Sequence, residues 1–154
     1  MTSYYFDTSA LAKRYVVEIG SSWVQALVAQ QSGQSLYTSV LTQPELISAI
    51  QRRVREGNLE SDQAMELARQ VAAHMTQSYA LVAITAPVIA RACEALQKHP
   101  LRAYDALQLA CAQLVREALE AQGLSLPTFV ASDDTLLTAA EAEGFGVDNP
   151  LRHA

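Results

Sequence analysis

The chain has 154 residues, which is the size of one domain, and we predict a single domain over residues 1–154. Half of the residues are hydrophobic (50%), 18% are charged, and the net charge at pH 7 is −5. This balance argues against non-specific nucleic-acid binding through a strongly basic surface, although it is compatible with an acidic, metal-loaded site. We find neither a signal-peptide pattern nor an apolar stretch long enough to span a membrane, so we expect a cytoplasmic protein. The two cysteines, Cys93 and Cys111, are expected to be buried thiols.

Strand-like and helix-like segments alternate along the chain. In the first half, short runs of aromatic and β-branched residues predict strands at residues 3–6 and 35–40. Helical patterns interrupted at Gly20 and Gly57 predict helices at residues 9–17, 21–31, 43–56 and 61–77. In the last of these, an apolar stripe with helical spacing is the predicted core face: Met65, Ala68, Ala72 and Met75.

The second half continues the alternation, with strands at residues 79–84, 128–131 and 145–147. Helices are predicted at residues 87–98, 102–122 and 134–143. The longest helix has a predicted core stripe with spacings of three and four: Tyr104, Leu107, Cys111, Leu114 and Ala118. Strands separated by helices indicate an α/β fold with a mostly parallel sheet covered on both faces. In such sheets, functional sites form at the carboxyl ends of the strands.

Two aspartates lie at the carboxyl ends of predicted strands, where that rule predicts a functional site. Asp7 follows the first strand directly, and Asp133 follows the strand at residues 128–131. A carboxylate at the mouth of an apolar strand is partly desolvated and needs a partner, yet no lysine or arginine adjoins Asp133. A structural explanation is also available, because Asp7 and Asp133 can each cap the helix that follows them.

Glu45 and Asp105 lie near the starts of two predicted helices. Glu45 stands three residues after Thr42, which is the spacing of a capping box, and Asp105 can pair with Arg102 one turn away. The apolar neighbours of Asp105 instead suggest a helix start that is buried or lines a cleft. Acidic residues that converge without basic partners repel one another unless protons or divalent cations neutralise them, and Mg²⁺ prefers oxygen ligands.

Four segments together resemble the motifs of PIN-domain nucleases, in particular those of VapC-type toxins. They are residues 6–15 (FDTSALAKRY), 44–46 (PEL), 104–110 (YDALQLA) and 129–140, which begins FVASDD. Their order and the elements between them match the family over nearly the whole chain. Two positions depart from it, because many members have His where Gln108 stands, and Asp134 is an additional acid beside the fourth motif.

The resemblance implies a three-layer α/β/α fold with a central parallel sheet, and an endoribonuclease that uses Mg²⁺ or Mn²⁺. It assigns Asp7, Glu45, Asp105 and Asp133 as catalytic acids and metal ligands, with Ser9 as the hydroxyl beside the first of them. Bound metal lowers the pKa of a water molecule and neutralises phosphate oxygens, which suits hydrolysis of an RNA phosphodiester bond. VapC-type toxins form homodimers and are held inactive by a cognate antitoxin, so we expect both partners here.

An RNA substrate must also be held in place. Arg52 lies seven residues after Glu45, on nearly the same face of the predicted helix and about 10.5 Å further along. This position suits a contact with a backbone phosphate next to the scissile one. The alternative is that basic residues near exposed helix ends are solvated and favour the helix dipole. The same two interpretations apply to the other basic residues near the motifs: Lys13, Arg14, Arg53 and Arg55.

Two other functions stay open at this point. One is a PIN-like module that binds RNA or a protein without cutting, although none of the four acidic positions is missing. The other is a haloacid-dehalogenase-like phosphatase with Asp7 as nucleophile, but such enzymes usually carry a second Asp where Ser9 stands. A histidine-based ribonuclease has little support, because the histidines lie outside the four motifs and are expected at the surface or at helix ends: His74, His99 and His153.

Overall fold

The computed structural model of the protein describes residues 2–30 and 33–154. Its centre is a sheet of five parallel strands: β1 (Thr2–Phe6), β2 (Gln34–Ser39), β3 (Ala80–Val82), β4 (Thr128–Val130) and β5 (Val147–Asp148). Their spatial order is β3-β2-β1-β4-β5, so β1 is central and β3 and β5 form the edges. Along the chain, at least one helix separates the two strands of each neighbouring pair, as a parallel connection requires.

The described residues contain seven α-helices: α1 (Thr8–Leu11), α2 (Ser21–Ala29), α3 (Thr42–Arg55), α4 (Ser61–Gln77), α5 (Ala86–Lys98), α6 (Ala103–Ala121) and α7 (Asp134–Ala142). Two short 3-10 helices follow α1 and β5, at Ala12–Arg14 and Pro150–His153. Within the described ranges, no helix combines the length and the apolar character that a membrane crossing requires.

The two faces of the sheet bury two separate apolar clusters, because successive residues of a strand point to opposite sides. Tyr5 and Phe129 lie in the cluster beneath α5, α6 and α7. Phe6 and Val130 lie in the other cluster, against α1 to α4. The result is a three-layer α/β/α arrangement around a parallel sheet, which confirms the predicted fold class.

The first predicted helix is shorter than its sequence pattern indicates. Instead of covering residues 9–17, α1 ends at Leu11 and the chain continues as a 3-10 helix only to Arg14. The side chains of Arg14 and Tyr15 bond to the hydroxyl of Tyr79 at 2.6 and 2.8 Å, and these contacts hold the chain where a longer helix would continue. The next helix, α2, ends at Ala29, and its predicted end at Gln31 lies outside the described residues.

The predicted core face of α4 is wrong in part, because Met75 is buried as predicted but Met65 and Ala72 are not. Its buried side chains are Ala64, Val71 and Met75, whereas Met65 is 54% exposed and Ala72 is also exposed. The apolar residues of this helix occupy more than one face, and α4 packs mainly against α3 along the face that carries Val71. Spacing alone therefore identified only part of the buried face.

The predicted core stripe of α6 is confirmed in its middle, around Cys111, but not at its two ends, because this helix packs against both α5 and the sheet. Tyr104 and Ala118 are exposed, while the polar residue Gln108 is completely buried. Burial on two sides leaves no single apolar stripe for the spacing to identify. Of the two cysteines, Cys111 is buried as predicted, but the prediction for Cys93 is wrong because its side chain is exposed.

The carboxyl ends of the central strands bring the sequence motifs to one edge of the sheet. β1 ends at Phe6, and the backbone N–H of Asp7 donates to the carbonyl of Val130, the last residue of β4, at 3.0 Å. α3 begins at Thr42, shortly after the end of β2, and so carries Glu45 to the same edge. The starts of α1, α3 and α7 therefore lie at the edge where the α/β rule predicts a site.

Candidate active site

A cavity of about 730 Å³ opens at this edge of the sheet. Three of the four acids identified from the sequence line it, namely Asp7, Glu45 and Asp105. Asp133 does not belong to the lining, although its neighbour Ser132 does. The same cavity has a basic part, which is formed by Lys13, Arg52 and Arg53, and two further acids, Glu18 and Glu56, also line it.

Asp7 is the most deeply buried of these acids, with an exposed fraction of 4%. It is the N-cap residue of α1. Burial raises the pKa of Asp7 to about 7, and the negative charges of Asp105 and Glu45 add to the rise, while hydrogen bonds from Ser9 oppose it. The carboxyl group of Asp7 therefore gains or loses its proton near neutral pH.

Ser9 fixes the orientation of the Asp7 carboxyl group. Its Oγ accepts the backbone N–H of Ser132 at 2.9 Å, so the hydroxyl proton is directed to Oδ2 of Asp7, 2.5 Å away. The backbone N–H of Ser9 donates to the same oxygen at 3.2 Å. Ser9 thus links the end of β4 to Asp7, at the position that the family resemblance assigned to it.

Glu45 is half-buried in the first turn of α3. Burial raises the pKa of Glu45, and hydrogen bonds from Gln108 and Thr8 oppose that rise. The bond from Gln108 runs from its Nε2 to Oε1 of Glu45 and measures 3.2 Å. The predicted capping box with Thr42 is wrong, because the N-cap residue of α3 is Leu41 and no side chain caps the helix.

Gln108, which departs from the family pattern, belongs to the site although the sequence motifs gave it no role. It is completely buried, and its Oε1 accepts a hydrogen bond from the hydroxyl of Tyr5 at 2.6 Å. Its Nε2 lies 3.2, 3.1 and 3.2 Å from oxygens of Thr8, Thr42 and Glu45. The signal available in the sequence was a polar residue inside the otherwise apolar end of the third motif.

Asp105 and Asp133 interact electrostatically. Asp105 is half-buried in the first turn of α6, and its pKa is raised by burial and then by the charge of Asp133, while Arg102 opposes the rise. Asp133 itself is exposed and is the N-cap residue of α7. Its Oδ1 accepts the backbone N–H groups of Thr135 and Leu136 at 2.9 and 3.3 Å. Asp133 is therefore both a helix cap and an acid close enough to influence the cavity.

Asp134 lies outside the cavity lining and contacts the carboxyl-terminal 3-10 helix region. Its Oδ1 accepts a hydrogen bond from Nδ2 of Asn149 at 3.2 Å and lies 3.8 Å from the guanidinium of Arg152. It is also the first residue of α7, where a negative charge favours the helix dipole. The structure thus gives Asp134 a surface role that is separate from the cavity.

The basic side chains of the cavity differ in their partners. Lys13 is 4% exposed, so the solvated alternative is wrong for it, and its Nζ lies 3.1 Å from Oε1 of Glu18. Arg53 lies 3.1 Å from the other carboxylate oxygen of Glu18. Arg52 is exposed, and its guanidinium forms no hydrogen bond or ion pair with any residue that the structure describes. Its charge is therefore available to an anionic ligand.

Arg14 and the histidines lie away from the cavity. Arg14 contacts Nε2 of His74 at 3.3 Å in a network with Tyr79. Burial and the charge of Arg14 lower the pKa of His74. His99 and His153 each contact an acid outside the cavity lining, at 2.8 and 2.7 Å. A histidine-based ribonuclease mechanism consequently finds no support at this site.

The donor types at the site match those that Mg²⁺ and Mn²⁺ prefer, because carboxylate and hydroxyl oxygens line one cavity. Asp7, Glu45 and Asp105 form no ion pair with a lysine or arginine of the described chain. In their present orientations, however, no three His, Cys, Asp or Glu side chains among residues 2–30 and 33–154 are placed to hold a metal ion. The donor chemistry fits such an ion, because Mg²⁺ is commonly held by one or two carboxylates with water molecules as its other ligands.

The layers, the strand order and the acids at the carboxyl edge define an α/β protein with a carboxylate-lined site. The family model of the PIN domain matches residues 4–136, and the chain belongs to the PIN domain family. This membership confirms the resemblance found in the sequence motifs and leaves the phosphatase alternative without support. No curated protein sequence gives a significant match to the chain.

Solved structures with this fold include several toxin–antitoxin proteins. A toxin–antitoxin complex from Klebsiella pneumoniae matches with 19% identity and a TM-score of 0.61, over 96% of this chain and 97% of the other. VapC20 from Mycobacterium tuberculosis, a toxin that cleaves the sarcin–ricin loop, matches with 20% identity and a TM-score of 0.62, over 92% and 95%. VapBC2 from Rickettsia felis, bound to a promoter DNA fragment, matches with 10% identity and a TM-score of 0.58, over 96% and 98%. At these identities the likeness establishes the fold.

Proposed function

We propose that the protein is a metal-dependent endoribonuclease, a cytoplasmic toxin of the VapC type that hydrolyses RNA phosphodiester bonds. One observation carries this proposal: a cavity at the carboxyl edge of a PIN fold is lined by Asp7, Glu45 and Asp105, and no described lysine or arginine pairs with them. Gathering like charges in a partly desolvated cavity costs folding free energy. Ionisable groups with perturbed pKa values in a cleft are therefore candidates for a functional site.

The acids proposed to hold Mg²⁺ or Mn²⁺ are Asp7, Glu45, Asp105 and Asp133. Their carboxylate oxygens are hard ligands of the kind these ions take. Because burial raises the pKa of Asp7 to about 7, metal binding near neutral pH displaces a proton from that residue. When bound, such an ion supplies a water molecule of lowered pKa and neutralises phosphate oxygens. Ser9 contributes by holding Oδ2 of Asp7 in a fixed direction.

The RNA backbone is proposed to enter along the basic part of the cavity. Arg52 carries an unengaged guanidinium on the same helix as Glu45 and on the same cavity wall. Lys13 and Arg53 share one acidic partner, Glu18, so their positive charge is only partly neutralised. A phosphate next to the scissile one would therefore contact Arg52, while the scissile phosphate lies at the acids.

We also propose two protein partners, a second copy of the chain and a cognate antitoxin. Fold relatives of the chain include toxin–antitoxin complexes from two bacteria. A net charge of −5 and a carboxylate-lined cavity favour a partner segment that carries lysine or arginine. Light scattering at micromolar concentration tests the dimer, and a pull-down with the full chain tests the antitoxin. A monomer that recovers no partner would contradict both proposals.

The deciding experiment is cleavage of total RNA, with the cut ends mapped. The wild type should cut at defined positions with Mg²⁺ or Mn²⁺ and stop when EDTA is added. Asp7→Asn and Asp105→Asn should each lower the rate by more than about 100-fold, because each removes a proposed metal ligand. Asp134→Asn is the matched control and should cut like the wild type. RNA binding without cleavage would instead favour the non-catalytic PIN-like module.

A further inference from the structure

Gln108 is a completely buried amide to which the proposed reaction assigns no role. It lies on α6, three residues after Asp105, and contacts side chains that begin on three other elements: Tyr5 of β1, Thr8 of α1, and Thr42 and Glu45 of α3. A buried amide costs free energy unless both of its ends are hydrogen-bonded. Both ends are bonded here, so the arrangement is a satisfied polar network inside an apolar core.

The hydroxyl of Tyr5 sets which end of the amide faces the acids. Oε1 of Gln108 carries no hydrogen, so Tyr5 is the donor across 2.6 Å. The amide nitrogen then points to Glu45, where Nε2 and Oε1 are 3.2 Å apart. A flipped amide would set its oxygen against the carboxylate oxygen of Glu45, which places two acceptors together without a proton between them. The observed orientation is therefore the one that the donor chemistry supports.

A directed chain of hydroxyl groups continues from the same nitrogen. The carbonyl oxygen of Phe6 can only accept, so Thr38 donates to it at 2.8 Å. Thr42 must then donate to Thr38 across 2.7 Å, and it accepts from Gln108 at 3.1 Å. The carbonyl of Phe6 belongs to the peptide bond that leads into Asp7. The amide of Gln108 thus restrains Glu45 directly. Through the threonine hydroxyls it also restrains the backbone in front of Asp7.

We propose that Gln108 is a positioning residue that holds the Glu45 carboxylate, through Nε2, in the orientation in which Glu45 binds the divalent ion. This inference rests on the proposed metal-dependent function, and it gives Gln108 no contact with RNA or with the ion. Nε2 carries two hydrogens for three acceptors, which are the hydroxyls of Thr8 and Thr42 and the carboxylate of Glu45. Hydrogen bonds to an ionised acceptor are the stronger ones, so Glu45 retains one of the two hydrogens.

The test compares three proteins by titration with Mn²⁺ alone, with the free ion measured by electron paramagnetic resonance. Gln108→Met keeps the length of the side chain and removes both hydrogen-bonding ends. Gln108→His restores them, because one ring nitrogen can accept from Tyr5 while the other donates toward Glu45. Mn²⁺ affinity should fall about 10- to 100-fold in the Met variant and less than about 5-fold in the His variant. In the cleavage assay, kcat of the Met variant should fall similarly while KM for RNA changes less than about 3-fold.

Two tyrosine variants separate positioning from the loss of a buried hydroxyl. Tyr5→Phe removes the group that orients the amide, and it should weaken Mn²⁺ binding about 3- to 10-fold. Tyr15→Phe is the matched control, because it removes a buried hydroxyl that contacts His74 and Tyr79, both at 2.8 Å, outside the cavity lining. It should leave Mn²⁺ affinity unchanged even if both variants melt earlier. If Gln108→Met does not fold, the two tyrosine variants decide.

A folded Gln108→Met protein with wild-type Mn²⁺ affinity would overturn the proposal. Equal losses of affinity in Tyr5→Phe and Tyr15→Phe would also overturn it. A wild type that binds Mn²⁺ but cuts no RNA would remove the ribonuclease function alone, because the Mn²⁺ titrations still decide the role of Gln108. A wild type that binds no Mn²⁺ would contradict both the proposed metal-dependent function and the proposed role of Gln108.

Discussion

Asp7 combines a structural role with an electrostatic cost. Its carboxyl group caps α1 by accepting the backbone N–H of Ser9, and it is buried beside other acids. Burial raises its pKa from 3.8 to about 7, so Asp7 loses its proton less readily in the folded protein than in the unfolded chain. The cap and the proposed catalytic acid are thus assigned to the same carboxyl group, and an amide substitution separates the two roles.

We expect Asp7→Asn to stabilise the metal-free protein at pH 8. The stability gained from keeping the proton is fully present below about pH 4 and is lost as the pH rises through about 7. That difference in pKa corresponds to at most about 4 kcal/mol. Because Asn keeps the capping oxygen and carries no charge, the variant should exceed the wild type by about 1–3 kcal/mol at pH 8, with the gap closing near pH 4. Urea unfolding at both pH values measures this, and a less stable variant at pH 8 would show that the buried charge of Asp7 does not destabilise the fold.

Asp133 and Asp134 should respond differently to the same substitution. Asp133 is the N-cap residue of α7 and Asp134 is its first helical residue, and their surroundings differ: Asp133 influences the pKa of Asp105, whereas Asp134 bonds to Asn149. We expect Asp133→Asn to lower RNA cleavage at least about 10-fold and Asp134→Asn to change it less than about 2-fold. Asn caps helices as well as Asp does, so both variants should melt within a few degrees of the wild type. Loss of cleavage in Asp134→Asn alone would reverse the assignment.

At the scale of the elements, strand and helix order was predictable because apolar runs, glycines and capping residues mark boundaries locally. What the local pattern misses is decided by tertiary contacts. α1 stops early because Arg14 and Tyr15 bond to Tyr79, a residue far along the chain. Gln108 breaks the apolar pattern of α6, yet it is buried because its partners come from three other elements. Neither set of contacts can be recognised from the sequence of a single helix.

The face of α3 that carries Glu45 yields a prediction about RNA binding. Arg52 lines the cavity on this face. Arg55, three residues later, is exposed and does not line the cavity. Arg52→Gln should raise KM for RNA about 3- to 10-fold and reduce the salt dependence of binding by about one phosphate contact. Arg55→Gln is the charge-matched control and should change KM less than about 2-fold. Equal effects in the two variants would mean that the helix contributes only general positive charge.

At the scale of the whole molecule, the topology explains why distant residues form one site. β1 lies between β2 and β4, so the chain segments that follow these strands reach the same edge of the sheet. Asp7 and Glu45 reach the cavity in this way, and Asp105 joins them from the start of α6, although the three acids are far apart in the chain. The parallel-sheet rule and the motif resemblance were sufficient to predict this convergence. The full set of residues that line the cavity was not predictable, because Asp133 caps α7 outside the lining while Glu18 and Glu56 belong to it.

Divalent ions should stabilise the whole fold, because an ion that binds only the folded state shifts unfolding by mass action. At about 100 times its dissociation constant, Mn²⁺ adds about 2.7 kcal/mol, which raises Tm by about 5–10 °C in a chain of this size. Asp7→Asn and Asp105→Asn each lose a proposed ligand, so Mn²⁺ should raise their Tm much less. Asp134→Asn keeps all proposed ligands and should gain as much as the wild type.

This stabilisation should also depend on pH in a way that identifies Asp7 as a ligand. With a pKa of about 7, Asp7 is mostly protonated at pH 6, and the ion must displace that proton in order to bind. The rise in Tm at one fixed Mn²⁺ concentration should therefore be smaller at pH 6 than at pH 8 in the wild type. In Asp7→Asn, which has no proton to displace there, the small remaining gain should change less between the two pH values. Melting curves of both proteins with and without Mn²⁺ measure these four shifts. Equal shifts in both proteins would place the ion at a different site from Asp7.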